Sequence, residues 1–313
     1  MRTAFIRCLE ELAEQDERVC LVVGDLGYSV VEPFAQRFPD RYVNAGISEQ
    51  NMTGLAAGMA LSGMVVFTYS IANFPTLRCL EQVRNDVCYH RANVKIVAVG
   101  GGLAYGSLGV SHHASEDLAI MRAMPEMTVL APGDPVETRL ATAAAAAHEG
   151  PCYLRLGKAG EPVVHATEPD FEIGRAIQLR DGDDLTLIST GAMLATAATV
   201  ADEANSRGLA TRLLSMPTIK PLDAAAVLSA ARETGQVFTL EEHSVSGGLG
   251  SAVAEVMAEI GEPHAPLRRI GLRPTFTERS GTHEYLKRLH GLDLESVLDT
   301  VVAEMEKRRG LVG

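Results

Sequence analysis

At roughly 100–200 residues per domain, a chain of 313 residues should form about two domains; its 46% hydrophobic and 22% charged content is that of a folded globular protein and excludes a disordered or fibrous one. Asp and Glu number 40 against 28 Lys and Arg, a net charge of −12 with no dense basic stripe, so no nucleic acid is expected as a partner. No apolar run reaches the ~18 residues of a membrane helix, and the amino terminus, MRTAFIRCLEELAEQDER, is charged throughout, so the chain reads as cytoplasmic with no membrane partner.

Short β-branched runs alternate with longer helical stretches from end to end, the pattern of an α/β protein with mainly parallel sheets flanked by helices. A helix opens the chain, with Thr3 as its cap and Ile6, Leu9, Leu12 and Ala13 on its apolar face. A buried strand at 19–23 and a loop follow. Ser48 caps a helix over 49–61, whose Gly54 and Gly58 would let another backbone approach closely. Next come a strand at 65–68, a helix at about 76–90, a strand at 94–99 and a long Gly-rich loop, a kind of loop that commonly carries function. The first unit closes with a strand at 129–131, an Ala-rich helix at 136–148 and a strand at 153–156. Residues 161–183 lack sustained periodicity and carry Pro162 and Pro169, so they read as a linker between domains at 1–160 and 184–313. In the second unit, strands are expected at 185–189, 211–215, 236–240 and 267–270, with helices near 193–207, 224–234, 249–260 and 294–308. The five cysteines, Cys8, Cys20, Cys79, Cys88 and Cys152, are odd in number and never in a C-x-x-C pair, so they read as buried thiols.

Two strings concentrate the chemistry: N-A-G-I-S-E-Q-N at 44–51 and G-G-L-A-Y-G-S-L-G-V-S-H-H-A-S-E-D at 101–117. M-R-x-A-F stands at the start, R-N-D at 84–86, M-x-V-x-x-P-x-D at 127–134 and E-E-H-S-V-S-G-G-L-G at 241–250. In this order and spacing, the strings resemble the transketolase family of thiamine diphosphate enzymes, specifically its pyrimidine-binding and C-terminal domains. The resemblance covers essentially the whole chain. The G-D-G and Asn-rich segment by which the family's earlier domain holds a metal has no match, because Gly24-Asp25-Leu26 comes too early and lacks the Asn partner. The chain therefore resembles the carboxy-terminal subunit of a split transketolase. That implies an amino-terminal partner subunit supplying the diphosphate-binding domain with its Mg²⁺ or Ca²⁺, and self-association within a heterotetramer of two copies of each chain.

Glu49 carries the most weight. Thiamine diphosphate stabilises a carbanion, and in the family a carboxyl shares a proton with N1′ of its pyrimidine to form the imino tautomer that activates the thiazolium. A Glu in a largely apolar pocket suits this, because desolvation favours its protonated form. By its local string alone, Glu49 is more simply a first-turn acid at a helix N-terminus. By the resemblance, Phe74 stacks on the pyrimidine, with Phe67 and Tyr69 as rivals because A-N-F-P-T-L-R departs from the family's spacing. Ile47, Gly46 and Val66 would be plain wall. Asp25 matches an acid near the thiazolium, a position that a turn-capping carboxylate explains equally well. His112, or His113 in its stead, would hydrogen-bond a hydroxyl of the sugar donor, while Arg2, Ser29 and Arg155 would bind the substrate phosphate at the cleft mouth. The family's E-D-G-x-T-H loop places an Asp on a donor hydroxyl. Here the loop reads S-L-G-V-S-H, with Leu108 in that place, which leaves the donor open. Gly247-Gly248-Leu249-Gly250 reads as structural, since it lacks a phosphate-cradle spacing and follows Glu241 and Glu242, which would repel an anion.

The resemblance thus implies transfer of a two-carbon ketol unit from a ketose to an aldose, with sugars as substrates. One rival is the β chain of a 2-oxoacid dehydrogenase or a deoxyxylulose-phosphate-synthase-like carboligase, whose pyruvate donor would fit a less polar pocket at Leu108. Another is a non-catalytic assembly or regulatory subunit, against which Glu49 argues.

Overall fold

Five consecutive apolar residues at Val19–Val23 leave no polar face, and in the computed structural model, which describes residues 1–312, they form a strand (β1) buried on both sides. Helix α1 (Arg2–Gln15) precedes it and turns Phe5, Ile6, Leu9 and Ala13 inward. The segment between β1 and the next expected helix is more than a loop: it forms α2 (Glu32–Arg37) and β2 (Tyr42–Asn44) before α3 (Glu49–Leu61) and β3 (Val65–Ile71). The single helix expected at about 76–90 is instead two π-wound stretches, Phe74–Arg78 and Val83–Cys88, on either side of α4 (Leu80–Gln82). Pro75 stands in the first turn, where its missing N–H costs no helical hydrogen bond, and such wide turns recur at functional sites. Strand β4 (Val94–Val99) leads through the Gly-rich loop to α5 (Asp117–Ala123), β5 (Thr128–Leu130), α6 (Pro135–Ala147) and β6 (Cys152–Leu156).

The second unit holds β7 (Ile177–Arg180), β8 (Leu185–Ser189), α7 (Leu194–Ser206), β9 (Thr211–Ser215), β10 (Thr218–Lys220), α8 (Ala224–Glu233) and β11 (Val237–Ser244). It ends with α9 (Leu249–Ala258), β12 (Leu267–Leu272), α10 (His283–Leu289) and α11 (Leu294–Val312). Its sheet runs β12-β11-β8-β9-β7, parallel except for β7 against β9. The segment expected as a linker thus already contributes an edge strand at its end. Its earlier part is anchored too, since the backbone N–H groups of Val164 and His165 donate to Asp134 Oδ2 at 2.8 and 3.1 Å.

The first sheet has seven strands in the order β10-β5-β6-β4-β3-β1-β2. All its pairs are parallel except β10 against β5. Strand β10 belongs by sequence to the second unit, so the two units share a sheet edge. One apolar cluster packs α1 and α6 on one face of this sheet. The cluster on the other face runs on without a break into the second sheet through Ile188, Leu214, Val237, Leu249 and Val253. Gly54 and Gly58 meet no backbone within this chain, and a Cβ at either would face open space.

Candidate active site

In a parallel sheet the carboxyl ends of the strands share one edge, and ligand-binding groups gather there. Asp25 and Ser29 follow β1, Glu49 follows β2, Phe74 follows β3, and Leu108 and His112 lie in the loop after β4.

Gly46, at φ +72°, makes the reversal between β2 and α3 that brings Glu49 back over the sheet. Ser48 stands at the cap position, but its hydroxyl donates to the Ala45 carbonyl at 2.6 Å, fixing the turn and not the N–H groups of α3. The Glu49 side chain is only 4% exposed. It faces an open pocket of about 430 Å³, lined by Ile47, Gln50, Asn51 and Arg78. This pocket is not simply apolar. Arg78 Nη1 donates to both Glu49 carboxylate oxygens at 3.1 Å, and its guanidinium carbon lies 4.1 Å from the centre of the Phe74 ring.

Of the three aromatic candidates, Phe67 and Tyr69 are fully buried on β3 against Phe5, at ring distances of 6.0 and 5.8 Å. Their rings are spent on the core, and Val66 is buried beside them, whereas Phe74 is half-buried at the site. The edge of His112 packs on Phe74 at 5.1 Å between ring centres. Asn73 Nδ2 ties the two loops by donating to the Ser111 carbonyl at 2.8 Å. Burial, and then the Arg78 charge, lowers the His112 pKa below its usual value, which favours a neutral imidazole able to donate and accept. His113 points inward, is buried, and leaves its Nε2 without a partner. Leu108 is 52% exposed at the end of a short 3₁₀ turn, Gly106–Leu108.

Asp25, at φ +54°, accepts from Asn44 Nδ2 at 2.9 Å, while Asn44 Oδ1 receives the N–H groups of Asp25 and Gly46. Asn44 thereby cross-links the two strand ends on either side of the site. Ser29 is exposed, and its N–H donates to Glu32 Oε1 at 2.8 Å. Arg2 lies beside Tyr69 and Tyr105 with its Nε buried and unpartnered.

Arg155, expected at the substrate phosphate, is drawn into a buried network. It is buried, with Nε 2.8 Å from Asp117 Oδ2 and Nη2 bonded to Asp117 Oδ1 and to the carbonyls of Ala114 and Glu242. These bonds join the Gly-rich loop to the second unit. Glu242 completes that joint, accepting from the Leu103 N–H at 2.5 Å and from His283 Nε2 at 2.8 Å. A Cβ on Gly102 would meet Glu242 at 2.5 Å, so only glycine fits there. Glu241 accepts the N–H groups of Leu249 and Gly250 at 2.7 and 2.8 Å, so the chain's own carboxylate fills the amino end of α9 and the glycine string is structural. Sequence reasoning missed Arg78, Asn44, Asp117 and His283. Their signal is positional, since Arg78, Asn44 and Asp117 lie within or close to strings that carry the family resemblance.

The class these features define is a two-unit α/β protein with a buried acid and an aromatic ring at the carboxyl edge of its first sheet. Residues 1–160 match the transketolase pyrimidine-binding domain and residues 174–297 the transketolase C-terminal domain. A putative transketolase C-terminal section from Methanocaldococcus jannaschii is 39% identical over 98% of this chain and 96% of that protein. An apulose-4-phosphate transketolase subunit from Phocaeicola vulgatus is 38% identical over 98% of this chain and 97% of that protein. A solved structure described as a split gene transketolase in an inactive β4 tetramer superposes with a TM-score of 0.86 at 39% identity, covering 98% of this chain and 96% of that one. The chain belongs to the transketolase family, whose domains imply dependence on thiamine diphosphate, and it matches the subunits of split transketolases nearly end to end.

The residues present fit the pyrimidine end of that cofactor: a buried carboxyl, Glu49, opens to the pocket beside an aromatic ring, Phe74. Among the described residues there is no group of three or more His, Cys, Asp or Glu side chains that could hold a metal ion. No helix among the described residues is long and apolar enough to cross a membrane.

Proposed function

We propose that this chain is the pyrimidine-binding subunit of a two-chain transketolase that moves a two-carbon ketol unit from a ketose to an aldose. The observation that carries this reading is the buried Glu49 carboxyl held at the start of α3 beside Phe74. When bound, thiamine diphosphate would supply carbanion stabilisation. Glu49 would hold and return a proton at the pyrimidine N1′, Phe74 would orient the ring and keep water from its face, and His112 would steady a donor hydroxyl. Asp25 would lie near the thiazolium, and Arg2 and Ser29 would meet the substrate phosphate. A partner subunit would bring the diphosphate-binding domain and its Mg²⁺ or Ca²⁺. Ile47, 76% exposed where it lines the pocket with Glu49, and the open Gly54 and Gly58 on α3 favour such a partner, because they leave unfilled surface on this side of the chain.

The test is Glu49→Gln in the complex co-purified with its amino-terminal partner. Gln keeps the shape but cannot relay a proton, so turnover at saturating cofactor should fall by ~10² or more with assembly intact. Turnover within a few-fold of wild type would reduce Glu49 to a helix-start residue.

A further inference from the structure

Arg78 has no part in the roles above, yet it bonds to Glu49 and covers Phe74. We propose that Arg78 is a positioning residue that stands in for the pyrimidine ring in the free chain, its guanidinium holding the Glu49 carboxylate and covering the Phe74 face until a planar heterocycle displaces it from both. This rests on the assignments of Glu49 and Phe74 given above.

The geometry is that of a mimic. A guanidinium is flat, carries its donors along one edge and stacks on aromatic faces. An aminopyrimidine offers a carboxylate and a phenyl ring the same two surfaces. Arg78 makes both contacts at once, at 3.1 Å to each carboxylate oxygen and 4.1 Å to the ring centre. Its side chain is 49% exposed, so it can swing out without crossing the core.

The Arg78 charge also acts on His112, second to burial in lowering its pKa, so the same movement makes that imidazole easier to protonate.

Calorimetric titration of thiamine diphosphate into the two-chain complex with Mg²⁺ reads the affinity. Arg78→Met should bind tighter than wild type by about five-fold or more, since no charged pair has to break. Arg78→Lys, which keeps the charge and loses the fork, should fall between. Equal or weaker binding by Arg78→Met overturns the inference. If Arg78→Met fails to assemble, Arg78→Lys decides alone, and an affinity identical to wild type overturns it. The Glu49 assignment fails by a different result: turnover within a few-fold of wild type in the Glu49→Gln complex.

Discussion

Arg155 Nε lies 2.8 Å from Asp117 Oδ2 with both side chains buried, and the same carboxylate oxygen accepts the Tyr153 hydroxyl at 2.7 Å. The pair sits where the Gly-rich loop meets the second unit, because Arg155 Nη2 also reaches the carbonyls of Ala114 and Glu242. It holds the loop that presents Leu108 and His112.

Removing the guanidinium would leave a buried carboxylate and two buried carbonyls short of donors. Arg155→Met should therefore cost about 3–5 kcal/mol of stability, read by chemical denaturation. Arg155→Lys should lose less, because an ammonium keeps the charge without the planar fork. If Arg155 served a substrate phosphate instead, either change would raise KM and leave stability untouched.

A second pair at the same joint, the buried Glu242 and the half-buried His283, gives a pH window. Burial pulls His283 down, but bonding to Glu242 outweighs it and pushes the imidazole above its ordinary 6.5; Lys287 and Glu284 act more weakly and with opposite signs. Burial likewise opposes ionisation of Glu242, yet His283 and the Leu103 N–H hold that carboxyl below its ordinary 4.5. A raised histidine contributes stability that is full below 6.5 and lost as pH rises through its folded value. A depressed carboxylate contributes stability that is full above 4.5 and lost as pH falls through its folded value. The pair should stabilise most between about pH 4.5 and 6.5, and His283→Gln should lower melting most within that window. A constant difference in melting temperature from pH 4 to 9 would exclude an ionised pair.

If the partner subunit holds the diphosphate and its metal, as proposed above, the chain alone should bind thiamine diphosphate poorly. Losing even two charge-assisted bonds of about 1.5 kcal/mol each weakens binding by ~10². Calorimetry on the purified chain should thus show binding at least ~100-fold weaker than in the complex and indifferent to Mg²⁺. Tight, Mg²⁺-dependent binding by the chain alone would reveal a diphosphate site within it.

The buried strands were legible as short β-branched and apolar runs, and β1, β4, β8 and β9 have the bounds the sequence leads one to expect. Helix α3 was legible to the residue, from a small polar residue followed by an acid ahead of a helix-forming run. Short elements were not. Helices α5 and α10, of seven residues each, offer fewer than two full turns of periodicity. Strands β7 and β10 are fixed by partners far along the chain, and β10 crosses to the other sheet, which no local pattern records. At the site, Glu49 and His112 were reached through the family's strings. The Arg78 contact was missed because it arises from the wide winding of Phe74–Arg78, which swings that side chain over Glu49. The Asp117 partner of Arg155 was missed for a related reason, since an arginine near a strand end looks the same in sequence whether it faces a cleft or an acid from α5.

The remaining question at the site is the donor, and Leu108 bears on it most directly. The family's usual acid at this place accepts a hydrogen bond from a donor hydroxyl, which leucine cannot do. Leu108 is 52% exposed, so an ionised Asp there stays in contact with water, and Leu108→Asp should change stability by no more than about 0.5 kcal/mol. Any change in catalysis then reports on substrate contacts and not on folding. Ketose donors with the usual hydroxyl configuration should gain from the new acceptor, while the native donor should lose, so the ratio of their kcat/KM values should move by about ten-fold, the worth of one hydrogen bond to a charged group. His112→Ala should slow all hydroxylated donors together, because its imidazole, packed on Phe74, would meet the hydroxyl common to them. Screening ketoses and pyruvate against both variants separates the two effects. An unchanged donor ratio in Leu108→Asp would place Leu108 outside the donor channel, and a strong preference for pyruvate in wild type would favour a carboligase over a ketol transferase.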